Sequence, residues 1–320
     1  MLNLFFLILG IALLTFGGEA LIRGSLAAAS RLGVSPLLSG LVIVGFGTSA
    51  PELVVSINAA IEGRPDIAIG NVVGSNISNV LLILGICAVI TPLAVQPLVL
   101  RRDAITVVAA SLLFLVLVGG SALGRVDAVI LLVALAVYLV WAYWSERYHA
   151  APSGELHQAE AEEICVDSKS VVWIVTAVAL GLMLLIGGSQ VLLIGAIGIA
   201  EYFNVPEAVI GLTLVAVGTS LPELSISVIA AIRRHADVAI GNVLGSNIFN
   251  LLGILGVSSL LQPLPVHERI LQFDQWVMLG TSVLLLLFLY TQSRLSRLEG
   301  GILLAGYCMY VWLSFTVFIA

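Results

Sequence analysis

A chain of 320 residues that is 60% hydrophobic and only 10% charged cannot fold as a water-soluble domain, because it has too few polar residues to cover its own surface. Its mean hydropathy of +1.14 points to a lipid environment, and its net charge of −6 leaves no electrostatic footprint for nucleic acid. Apolar runs long enough to cross about 30 Å of hydrocarbon recur along the chain, whereas the alternating strands of a barrel do not, so the expected class is an all-α membrane protein.

The first expected span covers residues 3–23. Its sequence lacks a basic leader and a small-residue cleavage site, so it reads as a retained span and not as a removed signal. Glu19 and Arg23 stand one helical turn apart near its end, which favours an internal ion pair. The second and third spans, 36–61 and 66–90, carry GFGTSAPELVVSINAAIEGRPDIAIGNVVGSNISN at residues 45–79. Spans at 104–119 and 126–144 complete a first unit, residues 1–144. Trp141, Tyr143, Trp144 and Tyr148 at its end have the character of an interfacial aromatic belt.

Residues 145–170 form the long polar stretch of the chain, with Pro, Gly, Ser and an acidic cluster at Glu160, Glu162, Glu163 and Asp167. Such a composition reads as a solvated cytoplasmic linker. Spans at 171–199, 206–232, 237–260, 274–290 and 301–318 then make a second unit, residues 171–320. Its segment 216–250, AVGTSLPELSISVIAAIRRHADVAIGNVLGSNIFN, matches 45–79 at a constant offset of 171 without a gap. The same shift maps five spans onto five. Five is odd, so the second copy must enter the membrane from the opposite side, giving ten transmembrane helices as two inverted five-helix repeats. Asp66 and Asp237 open the third and eighth spans, where a carboxylate suits a helix N-terminus. Asp103 and Asp274 read as similar start signals.

Basic residues set the orientation. With the N-terminus outside, Arg23, Arg31, Arg101, Arg102, Arg147, Lys169, Arg233, Arg234, Arg294 and Arg297 fall on the cytoplasmic side, and Arg64, Arg125 and Arg269 remain outside. Both termini are then expected outside a cell membrane.

Ionisable residues inside such spans are expensive and mark function by default. Pro51 and Pro222 lack the N–H that would bond the carbonyls of Gly47 and Gly218, so both helices should break there, with Gly45, Gly47 and Gly218 easing the unwinding. On a regular helix Ser49 shares a face with Glu52, and Ser220 with Glu223. Asn71, Ser75 and Asn79 stack along one stripe of the next span, as do Asn242, Ser246 and Asn250, while Gly70 with Gly74 and Gly241 with Gly245 offer small surfaces for close helix approach. Carboxylates, hydroxyls, amide oxygens and freed carbonyls form an all-oxygen set that suits Ca²⁺ or Na⁺ over a soft transition metal. Cys87, Cys165 and Cys308 suggest neither disulfides nor zinc, and His149, His157, His235 and His267 all lie in or beside loops.

In GTSAPEL with GNVVGSNISN, and GTSLPEL with GNVLGSNIFN, the chain resembles the cation/calcium exchanger superfamily and, within it, the prokaryotic sodium/calcium exchangers. The resemblance implies Na⁺-driven Ca²⁺ antiport by alternating access, with the first and sixth spans sliding across a compact bundle and no cofactor beyond the transported ions. It implies that Glu52 and Glu223 are central bridging carboxylates beside the backbone carbonyls of Thr48 and Thr219. Ser49, Ser220, Ser75 and Ser246, with the carbonyls of Gly45 and Ala216, would complete flanking Na⁺ sites, and Asn79 and Asn250 would line the middle. Some relatives carry aspartate at one of these last two positions, as K⁺-dependent members do, so asparagine at both weighs against K⁺ co-transport. H⁺/Ca²⁺ exchange and K⁺-dependent exchange are the rival couplings, a passive cation channel is a rival class, and a membrane enzyme lacks the accompanying nucleophile or cofactor motif. Ca²⁺, Na⁺ and the bilayer are the expected partners, and the oligomeric state is left open, a monomer being compatible with the site.

Overall fold

The computed structural model describes residues 2–34, 36–94, 100–120, 122–149, 170–202, 216–292 and 294–318. The helices are α1 (Leu2–Leu32), α2 (Gly40–Thr48), α3 (Ala50–Ile61), α4 (Pro65–Ile90), α5 (Arg102–Gly120), α6 (Arg125–His149), α7 (Val171–Tyr202), α8 (Ala216–Thr219), α9 (Leu221–Ile232), α10 (Ala236–Leu261), α11 (Ile270–Tyr290) and α12 (Arg297–Phe318). Among the described residues α1, α4, α5, α6, α7, α10 and α11 are each long and apolar enough to cross a membrane, and α2 with α3 makes an eighth span bent by 47°. The expected seventh span, 206–232, falls partly outside the described residues. The expected tenth coincides with α12. The expected linker begins on a helix, because α6 continues to His149; residues 150–169 and Cys165 lie outside the described residues.

Burial separates a centre from a periphery. In α10, 94% of the apolar window is buried, against 22% in α6, so α10 and then α4 form the middle of the bundle. Outward faces carry Phe5, Phe16, Val126, Val137, Trp276 and Trp312 exposed, the composition expected against lipid. Trp141, Tyr143 and Trp144 are also exposed near the end of α6, as the aromatic belt requires. The two longest helices, α1 and α7, lie along one another with glycines from both sides in the seam. A Cβ on Gly17 would meet Leu184 at 2.9 Å, one on Gly24 would meet Val178 at 2.9 Å, and one on Gly188 would meet Leu13 at 2.9 Å.

Two short antiparallel pairings tie the halves of the chain together. β1 (Leu93–Ala94) pairs with β4 (Arg294–Leu295), and β2 (Ala122–Leu123) with β3 (Leu264–Pro265). Leu93 and Leu264 are separated by the 171 residues that separate Glu52 from Glu223.

The small-residue surfaces are unequal. A Cβ on Gly245 would collide with the Leu41 carbonyl group, so α10 touches the backbone of α2, whereas Gly70 and Gly74 have nothing within 4 Å of that position. The expectation of close approach therefore holds at Gly245 and fails at Gly70 and Gly74. Gly245→Ala is expected to cost about 2–3 kcal/mol by overpacking against rigid backbone, and Gly74→Ala to be neutral or slightly stabilising, since alanine is the better helix former. Thermal denaturation of the two variants in detergent checks this; equal melting temperatures would show that α2 and α10 are not held in contact.

Asp103 and Asp274 are more than helix starts. Both lie in wide-turn, π-helical segments, Leu100–Ala104 and Ile270–Asp274. Asp103 is fully buried and receives Nε and Nη2 of Arg102 at 2.6 and 2.9 Å and the Tyr138 hydroxyl at 2.8 Å. Arg102, a loop charge by its sequence, is itself enclosed and donates to the Ala142 carbonyl at 3.3 Å. The counterpart around Asp274, with Arg269 Nε at 3.1 Å and Tyr310 Oη at 3.0 Å, is more open. Glu19 bonds Arg23 at 2.7 Å as its spacing suggests, and also pairs at 3.2 Å with Arg233 from the turn between α9 and α10.

Candidate functional site

Both proline-bearing helices break where expected. The first is interrupted at Ser49 (φ −78°, ψ 9°) and the second at Ser220 (φ −87°, ψ 8°), each followed by Pro51 or Pro222 in the first turn of α3 or α9. Thr48 and Thr219 are the last residues before the two interruptions, so their carbonyls stand at the breaks. Upstream of Thr48, Gly40–Gly45 is itself π-helical.

The breaks change which residues meet. Ser49 does not bond Glu52 of its own helix, as a regular helix would suggest; its hydroxyl donates to Glu223 Oε1 at 3.1 Å. Ser220 likewise donates to Glu52 Oε1 at 3.2 Å. Each serine thus reaches the carboxylate of the other half. Glu52 and Glu223 are almost wholly buried, and the second oxygen of each, Oε2, has no protein partner. A buried carboxylate without a full set of donors is costly, and two of them side by side call for positive charge.

Around this pair the matching segments make matching bonds. Asn71 Nδ2 donates to the Glu52 carbonyl at 3.2 Å and to Ser56 Oγ at 2.9 Å, and Asn242 Nδ2 donates to the Glu223 carbonyl at 3.2 Å and to Ser227 Oγ at 2.7 Å. Asn71 and Asn242 therefore hold the carboxylate-bearing helices against α4 and α10. The single Thr48 hydroxyl hydrogen is shared between Asn242 Oδ1 at 3.1 Å and the Gly45 carbonyl at 3.3 Å, and that carbonyl also accepts from Ser246 Oγ at 3.0 Å. That carbonyl is consequently engaged within the protein and not simply freed by the break.

Asn79 and Asn250 sit at the points where α4 and α10 change from regular to π-helical winding, at Asn79–Leu84 and Phe249–Ile254. Irregular turns of this kind concentrate at functional positions. Asn79 and Asn250 are buried; the Oδ1 of Asn79 and both amide atoms of Asn250 lack protein partners. Ser75 is buried one turn before Asn79, and Ala216 begins α8 with its side chain outside the description.

Sequence reasoning missed Ser56, Ser227, Asn76 and Asn247. Asn76 and Asn247 lie about 100° around a regular helix from Ser75 and Ser246, off the stripe that the spacing suggests. The signal that could have found them is their identity in both copies at the offset of 171. Among the described residues no cluster of three His, Cys, Asp or Glu offers a transition-metal site.

A multi-pass helical bundle with two buried carboxylates at paired helix breaks defines an integral membrane protein of the transporter class. The family model described as sodium/calcium exchanger protein matches residues 2–144 and 173–316, and the chain belongs to that family. CaxA of Alkalimonas amylolytica is 37% identical to it, covering 97% of this chain and 98% of its own length. The sodium/calcium exchanger MaX1 of Methanosarcina acetivorans is 33% identical over 98% of this chain and 99% of its own. Among solved structures, the sodium-calcium exchanger NCX_Mj superposes with a TM-score of 0.83 at 32% identity, covering 97% of this chain and 98% of that one. A family of transporters sets aside the membrane enzyme.

Proposed function

We propose that this protein exchanges Na⁺ for Ca²⁺ across the cell membrane by alternating access, extruding Ca²⁺. The observation that carries the reading is the crosswise pair of buried carboxylates, each bonded through one oxygen to a serine of the opposite half and unpartnered at the other. Two negative charges balance one Ca²⁺, or accept Na⁺ ions in its place, so the two ions compete for one set of oxygens. In this reading Glu52 and Glu223 bridge the ions with the carbonyls of Thr48 and Thr219. Ser49, Ser220, Ser75 and Ser246 serve flanking Na⁺ positions with the carbonyls of Gly45 and Ala216, and Asn79 and Asn250 line the middle. The engagement of the Gly45 carbonyl by Ser246, Thr48 and the Ser49 N–H means that an ion there competes with those donors.

The architecture we propose is ten transmembrane helices in two inverted repeats joined by a cytoplasmic linker. The strand pairings support it, because β1 and β4 then follow the third and ninth spans on one face, and β2 and β3 follow the fourth and eighth on the other. The arginine bias places β1 and β4 in the cytoplasm and both termini outside. The glycine-lined seam between α1 and α7 lets these helices move as a unit past the breaks, where Leu182 of α7 lies against Gly47.

The experiment is ⁴⁵Ca²⁺ uptake into purified proteoliposomes preloaded with Na⁺, compared with vesicles holding K⁺ or a pH gradient. Uptake that requires internal Na⁺ is expected. Uptake driven by the pH gradient alone would reassign the coupling to protons, and uptake indifferent to any counter-ion would make the protein a channel. In the same assay Asn250→Asp is expected to alter the Na⁺ and K⁺ dependence of uptake, because it adds a charge to a buried amide position. Unchanged ion dependence would remove Asn250 from the ion path.

A further inference from the structure

An asparagine can serve a cation only through its oxygen, and its two amide ends are nearly equal in size, so something must decide which end faces the ion. At Asn79 the decision can be followed back to the main chain. Asn247 Nδ2 donates to the carbonyl of Asn76 at 3.3 Å. A carbonyl only accepts, so this bond fixes the Asn247 amide with its Oδ1 on the opposite side. That Oδ1 accepts from Asn79 Nδ2 at 3.0 Å. Asn79 is left with Oδ1 unpartnered. Asn76, Asn79 and Asn247 are at most 2% exposed, so bulk water cannot reset the chain of bonds.

The matched positions do not repeat this arrangement. Asn76 corresponds to Asn247 and Asn250 to Asn79 at the offset of 171, yet neither amide atom of Asn76 or of Asn250 has a protein partner. We infer that Asn247 is a positioning residue that locks Asn79 as an oxygen ligand, and that Asn76 leaves Asn250 free to turn either amide end inward. The inference rests on the reading of Asn79 as part of the ion site. It makes the two halves of that site unequal: one amide is committed to cations, and the other can offer an oxygen or an N–H.

The test is Ca²⁺ binding to the purified full chain in detergent by calorimetry, with Ca²⁺ alone as the probe. Asn247→Ala is expected to weaken binding about tenfold, the equivalent of one net hydrogen bond's worth of orientation, and Asn76→Ala, which keeps the carbonyl that Asn247 needs, by less than about twofold. Asn79→Asp presents oxygen at both ends, so adding Asn247→Ala to it should change affinity by less than about twofold. Equal weakening in the Asn79 and Asp backgrounds would show a merely structural role and overturn the inference, as would wild-type affinity in Asn247→Ala. Should that variant not fold, Asn247→Ser, whose hydroxyl stops short of Asn79, is put through the same cycle with the same criterion. Glu52→Gln is the separate control: undiminished Ca²⁺ binding there would sink the site reading itself, whatever the asparagines do.

Discussion

Glutamine at position 52 or 223 is expected to lower Na⁺-dependent Ca²⁺ uptake by at least about 100-fold while leaving a folded protein. The side chain keeps its shape, and Ser220 or Ser49 can still donate to the remaining carbonyl oxygen in place of the bond it now makes to the carboxylate. On the proposed reading, what is lost is one of the two negative charges that face the divalent ion. Even at an effective dielectric of about 20, a unit charge at contact distance contributes several kcal/mol, and about 1.4 kcal/mol is already tenfold in affinity. Because the two glutamates occupy matched environments, both buried and both bonded across the halves, the two variants should fail to a similar degree. Proteoliposome flux with detergent melting curves as the folding control is the measurement. Normal exchange by either variant would take the glutamates out of the transport path.

The largest stability effect is expected away from the ion site. Arg102→Ala takes from the fully buried Asp103 carboxylate the guanidinium that meets both of its oxygens, and leaves the Tyr138 hydroxyl in place. Removing one member of a buried ion pair costs about 3–5 kcal/mol, since the other charge stays desolvated. Beside Asp274, the residue matched to Asp103, the Arg269 side chain is 31% exposed and its bond to Asp274 is longer, 3.1 Å, so solvent screening limits Arg269→Ala to about 1 kcal/mol. Adding Asp103→Asn to Arg102→Ala should recover much of the loss, because the amide still accepts from Tyr138 and carries no charge. Thermal denaturation in detergent distinguishes the cases. If Arg102→Ala melts no lower than Arg269→Ala, the enclosed pair is not a keystone of the α5–α6 contact.

The gap between what spacing suggests and what the fold makes is widest at Ser49. An i, i+3 separation from Glu52 predicts a shared helical face, but the break before Pro51 turns the serine toward the other half of the molecule, and the bond forms with Glu223 instead. The same proline that made the break legible thus invalidated the helical geometry used to place its neighbours. Gly74 and Gly245 teach a related lesson. They are identical in their motifs, but only one of them meets a backbone, because what a helix face touches depends on an element far away in the chain.

By itself the sequence determined the membrane class, the internal repeat at an offset of 171 residues, the two helix breaks and the pair of glutamates. These follow from composition, from self-similarity and from the missing proline N–H, all of which are local or countable. Only the tertiary structure decided that the serines bond crosswise, that Asp103 and Arg102 form an enclosed pair, and that Asn247 fixes Asn79 while Asn76 leaves Asn250 unbonded. Each of these depends on which atoms of distant segments are brought within hydrogen-bond distance. Matched motifs predict equal neighbours, and these motifs came to have unequal surroundings only when the two halves packed against each other.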